Sequence, residues 1–202
     1  MKSLIIFLVV FLVISGFQLY KKKRVSADNK VDFLEIGKLI YQKHQKEFAI
    51  FFNLYQKNKK DFKEQEADLL EESGIENPTP LEATYLFGSG RELLGYIDWR
   101  GEENENEVEE YVQEQLAGQE INWTYTKAIR KTSIGKDQGD GIFIISLFKE
   151  VDKDLNLLNK KLLFFDLGFD AYAFAVVDKI TFDQIIQKAP NSFHGSEKLK
   201  KK

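Results

Sequence analysis

Two almost unbroken apolar runs, Leu162–Leu167 and Ala171–Val177, stand on either side of Gly168-Phe169-Asp170. Each run has strand length, and a three-residue connection containing glycine turns the chain back on itself. The pair therefore predicts two central antiparallel strands. Whatever else this chain forms must pack around them.

The preceding segments alternate between helix and strand signals. From Val31 to about Gln56, Phe33, Ile36, Ile40, His44, Phe48, Phe51 and Tyr55 recur at three- and four-residue steps, which predicts one long amphipathic helix. Asn58-Lys59-Lys60 reads as a break, and Asp61–Ser73 as a second helix stopped by Gly74. Thr79-Pro80 with Glu82 has capping-box spacing and starts a third helix, which ends near Gly88-Ser89-Gly90. Leu93–Trp99 reads as a strand. Asn106 to Gly118 reads as a helix with a thin seam of Val108, Val112 and Leu116. Trp123 to about Ile134 and Ile142–Phe148 have strand composition around a glycine-aspartate turn, predicting a hairpin. Asp152–Lys160 suggests a short helix, and a last helix starts at Thr181. Residues 191–202 read as a frayed basic tail. Helices followed by a mostly antiparallel sheet with packed helices make the fold class α+β.

Ahead of this domain lies a different signal. Ser3–Tyr20 is uncharged, and it is followed by Lys21, Lys22, Lys23 and Arg24. Eighteen residues as helix span about 27 Å, close to the hydrocarbon thickness of a bilayer. The expected organisation is an N-terminal transmembrane anchor with a basic flank over 1–24, then one α+β domain over 25–190. That domain divides into a helical part at about 31–75 and a mixed part at about 80–190, followed by the tail 191–202. The basic flank behind the run predicts a single-pass protein with its body on the cytoplasmic side. The alternative is export after cleavage near Ala27, where Val25-Ser26-Ala27 offers small residues.

Charge narrows the partners. Between positions 25 and 196 there are 31 acidic and 20 basic residues, a net of −11, flanked by basic ends. Such a body is repelled by nucleic-acid phosphates. Zero cysteines exclude disulfides, thiolate metal sites and a cysteine nucleophile. Two histidines alone offer no zinc site, so neither a metal site nor a cofactor is expected. Phe87-Gly88-Ser89-Gly90 lacks the first glycine of a nucleophile elbow. Gly135–Gly141 matches neither a phosphate loop nor a calcium loop.

Two clusters remain as candidates. The acidic block Glu102, Glu103, Glu105, Glu107, Glu109 and Glu110 has no base within it and predicts a surface for a basic partner protein. Asp98, Asp166 and Asp170 fall at expected strand ends, where converging carboxylates would serve a metal-dependent hydrolase. Tyr96, Trp99 and Arg100 have the composition of an interface anchor or of a core edge.

The strings Tyr96-Ile97-Asp98-Trp99-Arg100-Gly101-Glu102-Glu103 and Phe165-Asp166-Leu167-Gly168-Phe169-Asp170-Ala171-Tyr172 resemble those of small bacterial domains, some grouped with toxin-immunity proteins. The resemblance spans roughly residues 80–190 and implies an α+β binding domain with no catalytic residues to transfer. The leading expectation is a membrane-tethered interaction or immunity-type domain with an acidic surface. The carboxylate hydrolase and a passive envelope scaffold are the alternatives.

Overall fold

The computed structural model describes residues 31–116, 118–133 and 141–200. Four strands form one antiparallel sheet in the order β1-β3-β2-β4, with β1 at Gly95–Asp98, β2 at Lys160–Phe165, β3 at Ala171–Asp178 and β4 at Phe193–His194. The two runs that predicted central strands are β2 and β3, paired from Lys160↔Asp178 to Phe165↔Ala173. Gly168 turns the chain between them at φ +74°.

These strands are apolar without alternation because both sheet faces are covered. Leu162, Phe164, Tyr172 and Phe174 join one buried cluster with Val108, Val112, Ile144, Phe148, Val151 and Leu155. Side chains one step along a strand point to the opposite face. There Phe165 packs edge-on against Phe193 and Tyr85.

On this side α1 (Phe33–Ile40), α2 (Gln45–Lys57), α3 (Lys59–Gln65), α4 (Ala67–Ser73) and α5 (Pro80–Ser89) pack on one another, and Tyr85 of α5 meets Phe165 while Phe33 of α1 meets Phe193. The single long helix expected here is broken at Tyr41, followed by a 3-10 turn over Gln42–His44. The break lets the chain double back. A β-carbon on Gly37 would lie 2.0 Å from the Phe48 ring, whereas in an unbroken helix those positions would be about 16 Å apart along the axis. Tyr41 fixes the corner: its ring sits 5.0 Å from Phe87 and its hydroxyl donates to the Thr84 carbonyl at 2.8 Å. The expected helix Asp61–Ser73 is likewise two helices that meet at Glu66. The Thr79–Glu82 capping box is present, with Pro80 in the first turn.

The other cluster is completed by α6 (Glu107–Gln115), α7 (Thr124–Ser133) and α8 (Ile142–Asn156). Here the expected hairpin is corrected, because both of its strands are helices. Ile144, Leu147, Phe148, Val151 and Leu155 recur at helical steps through α8 and are all fully buried. The expected short helix at Asp152–Lys160 is the end of α8 followed by the start of β2. Helix α7 begins where the Asp154 carboxylate accepts the backbone amides of Thr124, Tyr125 and Thr126 at 2.9–3.0 Å, together with the Thr126 hydroxyl at 2.8 Å. An N-cap thirty residues away replaces the local one.

Helix α9 (Lys179–Lys188) leads to β4. Residues 191–199, expected as part of a frayed tail, belong to the fold. Phe193 pairs with Phe165, Leu199 is buried, and Ser196 donates to the buried Asp152 at 2.9 Å. Asp152 also accepts from the Leu162 amide at 2.9 Å, so one carboxylate ties α8, β2 and the C-terminal segment together.

The architecture is therefore α+β with a four-stranded antiparallel sheet. Among the described residues no helix is long and apolar enough to cross a membrane. This corrects the expected fold class and single-pass description, which placed a transmembrane helix first. Ser3–Tyr20 and the flank Lys21, Lys22, Lys23 and Arg24 lie outside the described residues, as do residues 134–140 of the glycine-aspartate turn.

Candidate functional site

Near the β1 edge of the sheet is a recess of about 550 Å³ whose walls come from five parts of the chain. Helix α4 contributes Leu69, Glu72 and Ser73, and α5 contributes Tyr85 and Ser89. Glu92, Leu94 and Tyr96 come from the connection into β1 and from β1 itself. Tyr111 comes from α6, and Phe169 from the β2–β3 turn. Three tyrosines and a phenylalanine thus face one space, and its only charged wall residues are Glu72 and Glu92.

The aromatic walls have defined geometry. Tyr85, itself buried, meets Phe169 edge-on with centroids 5.9 Å apart. Tyr96 stands opposite Ala173 in the β1–β3 register and is 47% exposed, so it is a rim residue. Its hydroxyl is pushed up from the ordinary value by partial burial, then by Tyr85 and Asp98. Burial also raises Tyr111, followed by the carboxylates of Glu107, Glu114, Glu92 and Glu103. Glu107 and Glu114 lie four residues before and three after Tyr111, hence on its side of α6. The field over this wall is negative.

Glu92 has an unusual backbone. After α5 the Leu93 amide donates to the Gly88 carbonyl at 2.8 Å, and the Glu92 amide to Ser89 at 3.1 Å. These two bonds form the Schellman closure of a helix C-terminus, whose penultimate residue is left-handed and is usually glycine. Here that residue is Glu92, at φ +55°.

The six glutamates of the acidic block do different things. Glu102 and Glu109 face inward, and both bind Arg130. The guanidinium donates to Glu102 at 2.8 and 2.9 Å and donates twice to Glu109. Glu102 also accepts the Val108 amide at 2.9 Å. Burial acts to lower the Arg130 pKa, but the hydrogen bonds to Glu109 and Glu102 outweigh it and hold the group above its ordinary value. Glu107 accepts the Glu103 amide at 2.9 Å, shaping the loop ahead of α6. Glu103, Glu105 and Glu110 are exposed.

Asp98, Asp166 and Asp170 come to the same end of the sheet, since Asp98 pairs with Ala171 and Trp99 donates to the Asp170 carbonyl at 3.2 Å. Their carboxylates do not form a ligand set. Among the described residues no group of three or more His, Cys, Asp or Glu is placed to hold a metal ion. The Asp98 carboxylate accepts from the Arg100 amide at 2.8 Å and from its Nε at 3.0 Å. Arg100 thereby holds Asp98 below the usual carboxylate range.

Sequence reasoning singled out Tyr96 and missed the other walls. Tyr85 reads as one more apolar position of a helix, Phe169 as a turn residue, and Tyr111 lies among glutamates. Only the fold brings these distant positions together. Two other cavities carry mixed charge. One of about 350 Å³ beside the end of β3 includes Lys43, Lys160, Glu114 and Asp178. One of about 440 Å³ includes Trp123, Lys127 and Lys131 beside Glu105 and Glu109.

A family model described as a domain of unknown function (DUF6630) matches residues 32–197. No curated protein and no solved structure matches the chain.

Proposed function

The chain belongs to the DUF6630 family, whose matched span includes every element lining the tyrosine recess, and from that premise we propose a protein-interaction domain that binds a basic partner there. The observation that carries this reading is the recess itself, with four aromatic walls and glutamate as its only charge. Aromatic faces attract cations, by about 0.5–1 kcal/mol at exposed sites and about 2 kcal/mol when desolvated. The exposed carboxylates of Glu103, Glu110 and Glu114, with Glu107 half-buried beside them, extend the negative field along α6. They steer a basic partner and speed its encounter. Glu102 and Glu109 are set apart from this field, because both are turned inward and engaged by Arg130. Such a domain acts by binding, in the manner of an immunity or sequestering factor.

The test uses a fluorescein-labelled, arginine- and lysine-rich peptide, titrated with the full chain and read by fluorescence anisotropy. Changing Glu103, Glu107, Glu110 and Glu114 together to Gln should weaken binding at least several-fold at 50 mM salt and flatten its salt dependence. Unchanged affinity and salt dependence would exclude the α6 carboxylates from the binding face.

A further inference from the structure

We propose that the recess receives one arginine side chain of that partner, with the Glu92 carboxylate pairing with its guanidinium. This inference rests on the interaction reading above and adds the anchor residue and the group that recognises it.

The chain shows what it does elsewhere with paired glutamates. Glu102 and Glu109 enclose the Arg130 guanidinium, which lies 5.9 Å from the centre of the Phe143 ring. Glu72 and Glu92 share a space walled by Tyr85, Tyr96, Tyr111 and Phe169, and no described cation forms an ion pair with either. The recess thus offers carboxylates and rings around an open volume.

Arginine matches these walls better than lysine. Its planar guanidinium stacks on aromatic faces, binds a carboxylate in bidentate fashion and gives up hydration more readily than an ammonium. Glu92 is set to meet it. At φ +55° in the Schellman closure a β-carbon is disfavoured, and glycine would serve the backbone better. Glu92 lines the recess from a backbone position that does not itself call for a side chain.

The experiment exploits this separation of fold from binding. Three otherwise identical labelled peptides carry arginine, lysine or citrulline at one central position and are titrated with the full chain and with Glu92→Gly. The arginine peptide should bind wild type several-fold more tightly than the lysine peptide and about ten-fold more tightly than the citrulline peptide. Glu92→Gly should lose about ten-fold for the arginine peptide while its melting temperature rises by about 2–4 °C. Equal binding of the citrulline peptide, or undiminished arginine binding by Glu92→Gly, overturns this inference while salt-sensitive peptide binding leaves the broader reading standing. A wild-type chain that binds none of the three peptides overturns both.

Discussion

Arg130 holds Glu102 and Glu109 in the half-buried space between α7 and α6, and its removal leaves two carboxylates there without a counter-ion. Breaking a buried ion pair from one side costs about 3–5 kcal/mol, more than the intact pair contributes over an apolar replacement. Arg130→Met should therefore lower unfolding stability by about 3 kcal/mol or more, measured by urea denaturation followed by far-UV circular dichroism. A loss below about 1 kcal/mol would mean that the two glutamates find water instead. Glu92 represents the opposite case, a side chain whose backbone setting costs about 1–2 kcal/mol. In sequence these glutamates look alike. Nothing in the run Glu102–Glu110 distinguishes the inward pair from its exposed neighbours, because the distinction depends on an arginine more than twenty residues away.

At the scale of elements, Gly37 is the contact that makes α1 and α2 a pair. The Phe48 ring occupies the place of a β-carbon, and a rigid ring has little freedom to move aside. Gly37→Ala should destabilise the domain by about 1–3 kcal/mol despite its better helix propensity, as a thermal melt will register. A neutral or stabilising result would show that the α1–α2 corner is loose. The central strands were legible because β2 and β3 are local partners joined by a short turn. The two helices read as strands failed for different reasons. Helix α8 carries a full helical stripe, but its first turns, Ile142–Phe148, are apolar except for Ser146 and strand-like in isolation. Helix α7 opens with Thr124-Tyr125-Thr126, β-prone residues whose amides are satisfied by Asp154 from α8. A cap supplied through space leaves no mark on the local sequence. Pairing of β4 with β2 was equally hidden, since two residues, Phe193 and His194, make the strand.

Over the whole molecule, the excess of acid was legible in the composition, while the place where it matters was not. The sheet brings Tyr96 on β1 beside the turn that carries Phe169, and helices α4, α5 and α6 supply Glu72, Tyr85 and Tyr111. Aspartates at the strand ends converge in space, yet Asp98 is engaged by Arg100 and the three carboxylates form no metal-binding group. The proposed role is recognition of a cation by the rings and glutamates of the recess. The most direct test is the affinity of the labelled arginine peptide for the double variant Tyr96→Ala, Tyr111→Ala, compared with wild type at 300 mM salt, where long-range attraction is screened. Loss of at least ten-fold, with the melting transition retained, is the predicted result. Wild-type affinity in that variant would contradict the tyrosine recess as the binding site.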